Sequence, residues 1–299
     1  MKTRTKIHFI INPISGKGKN TIDEQLLNTV FSNTEYDVIA KISTQKKEAK
    51  KLAYESVLEG ADIVVACGGD GTINEVASTL VDTSVCLGVI RLGSGNGLAS
   101  NLNIPKSINK SLLVIKDFYT TKIDVGVLNN LYFFSNASVG FGAQLIHHYS
   151  QTKRRQFFSY VLAFIKALFS SRKPTPVTID YNNIRKHLNL FVLFVSNSNE
   201  MGYNLTLTPG ASLQDGKLDL LYIENTNVLR KIGLALLMFC KNINRSTLVH
   251  YHTIETLSIE NKQTASTRVQ VDGESELLHT NHLSVSIKKA ALNVIVPRS

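Results

Sequence analysis

The sequence has few prolines, few cysteines and no long apolar run. Only 6 prolines in 299 residues, with a hydrophobic content of 43%, exclude a largely disordered chain and allow two domains with separate cores. The 3 cysteines, Cys67, Cys86 and Cys240, are odd in number and widely spaced. This spacing argues against a disulfide framework or a zinc site and favours buried thiols in a reducing cytoplasm.

No segment has the length of a secretion signal or a membrane span. The apolar run near the N-terminus stops at Asn12-Pro13. The longest apolar stretch, residues 157–170, contains Lys166 and has 14 residues, whereas a span needs about 20. The net charge of +10 favours an anionic partner, which could be nucleic acid, a phosphate-rich ligand or a membrane surface.

Before about residue 125, strand-like β-branched runs alternate with helical patterns. The helical patterns cover residues 20–31, 45–59, 73–81 and 107–117. This rhythm is typical of a parallel sheet with crossover helices. Beyond that point most apolar segments, such as residues 204–209, have the features of antiparallel strands, and helical patterns occur at 155–170 and 228–244. We therefore predict an α/β part followed by a mostly antiparallel β part.

Gly68-Gly69-Asp70-Gly71-Thr72 lies between a predicted strand and a predicted helix. Glycines allow a backbone to approach a ligand, and the N–H groups at a helix N-terminus carry partial positive charge, so this turn can bind phosphate. Asp70 beside a phosphate requires a cation between them, which predicts Mg²⁺ nearby. An ordinary strand-to-helix turn is the alternative.

Two further loops have a similar composition. Residues 11–20 follow the first strand and residues 91–102 follow the fourth. Loops after the strands of an open α/β sheet meet at one edge, where ligands bind, so three glycine-rich loops there favour a polyphosphate site. None fits the Walker A sequence or the dinucleotide-binding spacing after the first strand.

Together these motifs resemble the diacylglycerol-kinase catalytic-domain family of lipid kinases, which includes sphingosine and ceramide kinases. The matching segments are Asn12-Pro13 with Ser15-Gly16, residues 68–75, residues 93–99, Asp124 with Gly126, and residues 136–143, 215–219 and 271–274. The resemblance implies a Rossmann-like ATP-binding α/β domain, residues 1–123, joined by a final strand at 290–299. It also implies a β-sandwich-like lipid-substrate domain, residues 124–289, with a lipid alcohol in the cleft between the domains.

The resemblance also implies functions for individual residues. ATP contacts fall on Asn12, Lys17, Thr44, Gly68, Gly69, Asp70, Gly71, Thr72, Asn74, Glu75, Ser94, Gly95 and Asn96. Thr44 also follows a strand where a helix N-cap is expected. Asp70 is counted as catalytic as well, because Mg²⁺ is expected beside it.

Asp272 matches the general base of the family, and Glu274 is close enough in sequence to support it or a metal. Phosphoryl transfer has a loose transition state, so a carboxylate can accept the proton late. From spacing alone, Asp272-Gly273 is more typical of a hairpin turn.

Residues 212–219 contain a second expected metal site. In the resembled family, Mg²⁺ is held here by an aspartate side chain, Asp215, and by backbone carbonyls, those of Ser212 and Lys217. From the sequence alone, Asp215-Gly216 is a turn entering a strand. We expect this ion to shape the domain rather than to take part in the chemistry.

The identity of the lipid stays open. Arg91, Ser94 and Gly97 stand where many bacterial diacylglycerol kinases have proline, threonine and aspartate, and this form is more similar to the sphingosine-kinase branch. Losing a carboxylate there removes a hydrogen-bond acceptor for a polar head group.

Two apolar segments flanked by basic residues, 153–173 and 228–245, are candidates for peripheral contact with the inner face of the membrane. The alternative is that both pack against the β domain. A homodimer stays open. No nucleic-acid partner is expected, since the aromatic-rich basic strands of single-strand binders are missing. The alternative functions are a NAD kinase-like phosphotransferase, which shares the Gly68–Thr72 motif, and a non-catalytic lipid-binding relative.

Overall fold

The computed structural model describes residues 4–18, 22–31, 34–45, 47–93, 96–151, 163, 166–167, 175–199, 207–239 and 242–298. The chain divides into two compact units. Unit 1 comprises Met1–Val125 with Lys289–Ser299, and unit 2 comprises Gly126–Lys288.

Unit 1 is built on a parallel sheet in the order β2-β1-β3-β4. Its strands are β1 (Thr5–Ile11), β2 (Tyr36–Ile42), β3 (Ile63–Gly68) and β4 (Cys86–Arg91). The last residues of β15 (His282–Ile295) add a further parallel strand beside β4, where Val294 pairs with Leu87. Every residue of β3 is buried, as expected of a central strand covered on both faces.

The helices of unit 1 follow the strands. They are α1 (Glu24–Val30), α2 (Glu48–Leu58), α3 (Asp70–Leu80), α4 (Gly97–Asn101) and α5 (Ile108–Asp117), with a short 3₁₀ helix at Ser15–Gly18. One core cluster joins β1 and β3 to Leu27 of α1 and Leu112 of α5. In α3 the buried positions Ile73, Val76, Ala77 and Leu80 have the spacing of one helical face.

Unit 2 is mostly antiparallel. After β5 (Thr120–Leu128), which begins in unit 1, come β6 (Leu131–Phe133), β7 (Asn136–Gly140), β8 (Thr175–Tyr181), β9 (Ile184–Ser196), β10 (Leu218–Glu224), β11 (Val249–Ile254), β12 (Thr256–Glu260), β13 (Thr267–Val271), β14 (Glu274–Leu278) and most of β15. The strand order is β14-β13-β7-β9-β8-β12-β15, and β10 pairs with β9 and β11. The described helices of this unit are α6 (Phe141–Ser150), α7 (Val228–Phe239) and a 3₁₀ turn at Ile243–Arg245.

The described residues of unit 2 form two hydrophobic clusters. One joins inward-facing residues of β7, β8, β9, β10, β12, β13 and β15, and Leu220, Leu257 and Val285 are almost fully buried in it. The other packs α6 and α7 against β9 and β10 through residues such as Phe191, Leu221 and Leu234. Burial of these aliphatic and aromatic side chains away from water is the main stabilising contribution in such a unit.

The predicted fold class is confirmed: an α/β unit with a parallel sheet is followed by a mostly antiparallel unit. The prediction of a strand at 204–209 is wrong for the described residues 207–209, because Leu207, Thr208 and Pro209 form a bend and a turn. Almost all of the helix predicted at 155–170 lies outside the described residues, as does Cys240. Among the cysteines that are described, Cys67 is buried, but Cys86 is only half-buried, which corrects the prediction for it. No helix in the described ranges has the length and hydropathy of a membrane span.

Candidate active site

The loops that follow β1 and β3 are joined by a side-chain hydrogen bond. Asn12 Nδ2 donates to Thr72 Oγ1 at 3.1 Å, and the Asn12 backbone N–H donates to the carbonyl of Cys67 at 2.9 Å. Asn12 Oδ1 in turn accepts from the N–H of Ile14 at 3.1 Å. Asn12 therefore fixes the start of the first loop against the first turn of α3.

The loops that follow β3 and β4 are in backbone contact. A Cβ atom on Gly93 would lie 2.7 Å from Gly69 Cα and 2.9 Å from Asn96 Oδ1. The N–H of Leu92 donates to the carbonyl of Gly68 at 2.8 Å and holds the two turns together. This close approach favours glycine at position 93, since a Cβ atom there would force the backbone at Gly69 to shift.

Asp70 connects the same two loops through its carboxylate. Oδ2 accepts from the N–H of Asn96 at 2.7 Å, and Oδ1 accepts from the N–H of Gly97 at 2.8 Å. Burial raises the pKa of Asp70, and the backbone N–H groups of Asn96, Gly97 and Asp70 itself act against that shift. Because a carboxylate has about four lone-pair sites, it can still accept another hydrogen bond or contact a cation.

The first turn of α3 has no side-chain cap. Its N-cap residue, Gly69, is extended and makes no capping hydrogen bond from a side chain. The N-terminal N–H groups of a helix without a side-chain cap favour an anionic ligand. The helix begins at Asp70, three residues before the predicted start, so Gly71 and Thr72 belong to it.

Asn96 is the N-cap of α4 and has a left-handed backbone, with φ of 55°. Its Nδ2 donates to the carbonyl of Gly93 at 2.5 Å. Its Oδ1 is buried and has no hydrogen-bond partner among the described residues. A buried acceptor without a donor is unfavourable, so this oxygen is suited to a donor group supplied by a ligand or a water molecule.

Thr44 is not the N-cap of α2, which corrects that prediction. The N-cap is Lys47, in a left-handed conformation that the sequence does not reveal. The Thr44 hydroxyl instead donates to Glu48 Oε2 at 3.0 Å. The same oxygen accepts from the N–H of Gln45 at 3.0 Å. The N–H of Lys47 donates to Glu75 Oε1 at 3.0 Å, so Glu75 holds the start of α2 against α3.

The remaining predicted ATP contacts are Asn74, Ser94, Gly95 and Lys17. Asn74 Oδ1 accepts from the Ser78 hydroxyl at 3.2 Å within α3. Ser94, Gly95 and the side chain of Lys17 lie outside the described residues. Described members of all three predicted loops are thus brought together at the end of the sheet where β1, β3 and β4 terminate.

In unit 2, three backbone N–H groups hold the side chain of Asp272. Its Oδ2 accepts from Phe134 at 2.9 Å, while its Oδ1 accepts from Ser135 at 2.8 Å and from Asn136 at 3.0 Å. The Asp272 N–H donates back to the carbonyl of Asn136 at 2.9 Å. Asp272 and Gly273 have φ of 44° and 83° and connect β13 to β14, so the predicted hairpin turn is also present.

A buried polar network that the sequence did not indicate lies directly beneath this turn. Gln270 Oε1 accepts from the Ser138 hydroxyl at 2.9 Å, and Gln270 Nε2 donates to Asn136 Oδ1 at 3.1 Å. Gln270, Ser138 and Asn136 are each at most 3% exposed. The network connects β13 to β7, and Asn136 also donates to Asp272. The only available signal was polar residues at strand positions where apolar ones are usual.

The predicted second metal site contains a turn. Asp215 Oδ1 accepts from the N–H of Lys217 at 3.0 Å, and Ser212 Oγ accepts from the N–H of Gln214 at 3.3 Å. Asp219 is buried on β10 and accepts a hydrogen bond from the Tyr251 hydroxyl. Burial raises the pKa of Asp219, the Tyr251 hydrogen bond opposes this shift, and the charge of Asp215 adds to it. Within the described part of the chain, no three His, Cys, Asp or Glu side chains form a metal-binding group.

Two family models match the chain. Residues 6–128 match the diacylglycerol kinase catalytic domain, and residues 135–296 match the YegS C-terminal NAD kinase beta sandwich-like domain. Together they cover both units, and the second alone covers more than half of the chain.

Curated relatives agree with these matches. A diacylglycerol kinase of Staphylococcus haemolyticus is 31% identical over 232 residues, covering 74% of this chain and 68% of the relative. A diacylglycerol kinase of Bacillus subtilis is 28% identical over 278 residues, covering 91% and 89%.

Solved structures share the fold over nearly the whole chain. A diacylglycerol kinase structure from Bacillus anthracis superposes with a TM-score of 0.71 at 18% identity, covering 98% of this chain and 97% of the other. A second crystal structure from the same organism gives a TM-score of 0.77 at 19% identity with the same coverage. The chain therefore belongs to the diacylglycerol kinase family of lipid kinases, a membership that implies ATP as its phosphate donor.

Proposed function

We propose that the chain transfers the γ-phosphate of Mg²⁺-ATP to the hydroxyl group of a lipid alcohol, such as a diacylglycerol or a sphingoid-type lipid. The observation that carries this proposal is the backbone contact between the glycine turns at Gly69 and Gly93. Neither turn has a side chain at that contact, and the adjoining N-terminus of α3 has no side-chain cap, which suits a polyphosphate.

The residues of unit 1 fit a nucleotide on three counts. The glycine contact would be filled by any Cβ at position 93, the first turn of α3 has no side-chain cap, and Asn96 Oδ1 is a buried acceptor. The residues that would hold ATP are Asn12, Lys17, Thr44, Gly68, Gly69, Asp70, Gly71, Thr72, Asn74, Glu75, Ser94, Gly95 and Asn96. Mg²⁺ would neutralise phosphate charge when bound, and Asp70 is the carboxylate that would face it.

Asp272 would accept the proton of the lipid hydroxyl. Its carboxylate oxygens are held by the N–H groups of Phe134, Ser135 and Asn136, so its orientation is fixed before any substrate binds. In a loose transition state the proton leaves late, and a carboxylate held in this way is sufficient to accept it. Glu274, two residues further on, would support Asp272 or contact a metal ion.

Mg²⁺ is also proposed at the Asp215 turn, with ligands from the Asp215 side chain and from the carbonyls of Ser212 and Lys217. Carboxylate and carbonyl oxygens are the ligands that this ion prefers. The proposed role is structural, because Asp219 and Tyr251 anchor the same segment through a buried hydrogen bond.

The lipid is proposed to be reached from the inner face of the membrane. Exposed apolar side chains of α7, Leu229 at 80% and Leu236 at 62%, would contact the bilayer, with Arg230 and Arg245 near anionic head groups. We also propose domain limits close to residues 123 and 289. The first domain would bind ATP and the second would bind the lipid.

A panel of acceptors tests the function directly. The purified chain is given radiolabelled ATP with Mg²⁺ and, in separate mixed micelles, diacylglycerol, monoacylglycerol, a sphingoid base, ceramide or a polyprenol, and NAD is offered without micelles. We expect label in at least one lipid and none in NAD. Labelled NAD would favour the NAD kinase-like alternative, and no ATP turnover with any acceptor would favour a non-catalytic lipid-binding relative.

A further inference from the structure

A histidine of α6 contacts the hairpin formed by β13 and β14. Arg268 Nη1 donates to His147 Nδ1 at 3.2 Å and to Ser275 Oγ at 3.3 Å. Because arginine carries donors and no acceptor, the first of these hydrogen bonds requires an unprotonated Nδ1. His147 is therefore held as a neutral imidazole with its proton on Nε2, which lies 3.1 Å from the side-chain amide of Gln151.

The segment that carries His147 contacts this hairpin at two points. Residues 136–150 comprise β7 followed directly by α6. Near the start of the segment the Asn136 N–H donates to Asp272 Oδ1, and near its end His147 accepts from Arg268. Arg268 also donates to β14, so the second contact involves both strands of the hairpin. Together the two contacts fix the hairpin, and with it the Asp272 turn, against β7 and α6.

The carboxylates of the hairpin lie on the face away from this contact. Glu274 and Glu276 pair across the ladder with Val271 and Val269, which are buried in the main core of unit 2. Side chains alternate between the two faces along a strand, so Arg268 projects from the opposite face. Neither carboxylate is therefore placed beside His147.

The charges that act on His147 within the described part of the chain are positive. Helix α6 packs mainly against β7, β9, β13 and β14. Strand β7 and the residues of β9 that pair with it, 192–196, contain no charged side chain. Burial lowers the pKa of His147 from its ordinary value of 6.5, and the charges of Arg268 and His148 lower it further. Protonation would place a second cation directly against Arg268.

We propose that His147 is a positioning residue for Asp272, and that its neutral imidazole holds Arg268 and the β13–β14 hairpin in the arrangement that orients the carboxylate. Acidification converts Nδ1 from an acceptor into a donor, so the contact with Arg268 is lost and turnover falls. The inference rests on the proposed role of Asp272 as the base. It adds a residue of α6 that lies outside the Asp272 motif.

Two substitutions separate the acceptor at position 147 from its titration. His147→Asn places an amide oxygen where Nδ1 lies, an acceptor that takes up no proton, whereas His147→Leu removes the acceptor. The kcat is measured with radiolabelled ATP and diacylglycerol micelles, or the lipid that the acceptor panel identifies, between about pH 7.5 and pH 5.5. We expect the kcat of wild type to fall across this range and that of His147→Asn to fall less. His147→Leu should be about tenfold slower at the neutral end, with the KM for ATP unchanged.

Amide hydrogen exchange reports the same contact without ATP or lipid. After correction for the intrinsic rate, exchange in residues 267–278 should increase in wild type as His147 takes up a proton, stay lower in His147→Asn, and be raised at every pH in His147→Leu. His187→Asn is the matched control. It removes an exposed histidine of the same unit whose Nδ1 lies 2.8 Å from Thr178 Oγ1, and it should keep the wild-type profile in both measurements. Thermal melts establish that each variant is folded.

The proposal is overturned if wild type and His147→Asn lose the same fraction of kcat in acid, if folded His147→Leu keeps the wild-type kcat, or if hairpin exchange is the same in all of them. A chain that labels no lipid would overturn the proposed function instead. Because exchange is measured without substrates, it would still decide whether His147 holds the hairpin.

Discussion

The glycine turns of unit 1 and the Asp272 turn of unit 2 are built in opposite ways. In unit 1, side chains are missing where the turns after β3 and β4 touch, and N–H groups at the start of α3 have no side-chain cap. In unit 2, backbone N–H groups point inward and hold one side chain, that of Asp272. We therefore expect the turns of unit 1 to be disrupted by any side-chain atom added where they touch. The turn of unit 2 should instead be disrupted by a change of charge at Asp272.

The largest effect is expected from Asp272→Asn. The substitution removes the proton acceptor, and an amide has one acceptor oxygen for three N–H donors, so one donor faces the new NH₂ group. Turnover should fall by about 10²- to 10⁴-fold, while the affinity for ATP stays within a few-fold. Both are measured by steady-state kinetics with radiolabelled ATP and by equilibrium nucleotide binding.

Asp180→Asn is the matched control for that variant, since Asp180 is an exposed aspartate of the same unit and should retain full turnover. If Asp272→Asn keeps more than a tenth of the wild-type rate, the base lies elsewhere.

Gly93→Ala tests unit 1 in the corresponding way, with no change of charge. The new Cβ would lie 2.7 Å from Gly69 Cα, so the two turns must move apart. A displacement of this size in a positioning loop reduces catalysis by up to about 100-fold, and we expect the KM for ATP to rise by about tenfold. Gly233→Ala in α7, where nothing lies within 4 Å of the new Cβ, is the control and should be neutral or slightly stabilising. An unchanged KM in Gly93→Ala would show that these turns do not hold the nucleotide.

The periodicity of the sequence was sufficient to predict most helices and strands, but not the contacts between the loops. The helical face of α3 was visible from Ile73, Val76 and Ala77, yet its first turn was missed because glycine is a poor helix former. The hydrogen bonds from Asn96 and Gly97 to Asp70 cross more than 25 positions in the sequence, and no pattern reports such a pairing. The three loops could be predicted to converge, but not which atoms join them.

At Asp272, too, the sequence predicted the turn but not the contacts of its side chain. Asp-Gly after a strand predicted a hairpin, and the hairpin is present. The sequence did not show that Phe134, Ser135 and Asn136 would surround the carboxylate, since they lie more than 130 positions away. Motif resemblance therefore indicated which aspartate to consider, and the fold shows how it is held.

Gln270→Met should have a smaller effect, one that separates positioning from chemistry. The substitution retains the size of the side chain but removes the partners of the Ser138 hydroxyl and of Asn136 Oδ1, at a cost of about 1–3 kcal/mol in the free energy of unfolding. Because Asn136 donates to Asp272, kcat should fall while the KM for ATP is unchanged. Urea unfolding and kinetics measure both, with Gln263→Met in an exposed turn as the control. A stability loss with unchanged kcat would make the network purely structural.

The smallest expected effect is on the pH dependence of stability, and its sign differs between the units. Burial lowers the pKa of His8 in β1, Lys41 adds to this shift and Glu59 opposes it, so the unfolded state binds the proton first as the pH falls below about 6.5. The stability contributed by neutral His8 is therefore lost with acidification, by no more than about 1.4 kcal/mol per pH unit. Asp219 has a raised pKa, so acidification through its folded value relieves the penalty of a buried charge in unit 2.

Urea unfolding at a series of pH values, followed in His8→Gln and Asp219→Asn, distinguishes these two contributions. Relative to wild type, His8→Gln should lose less stability as the pH falls below 6.5, because the group that takes up a proton on unfolding is missing. Asp219→Asn should gain most at neutral pH and least in acid, since the amide carries no charge at any pH. Gln263→Met, at an exposed position of unit 2, changes no titratable group and should leave the profile unchanged. If His8→Gln follows the wild-type profile, Glu59, with its Oε2 3.5 Å from His8 Nδ1, compensates the proton in the folded state.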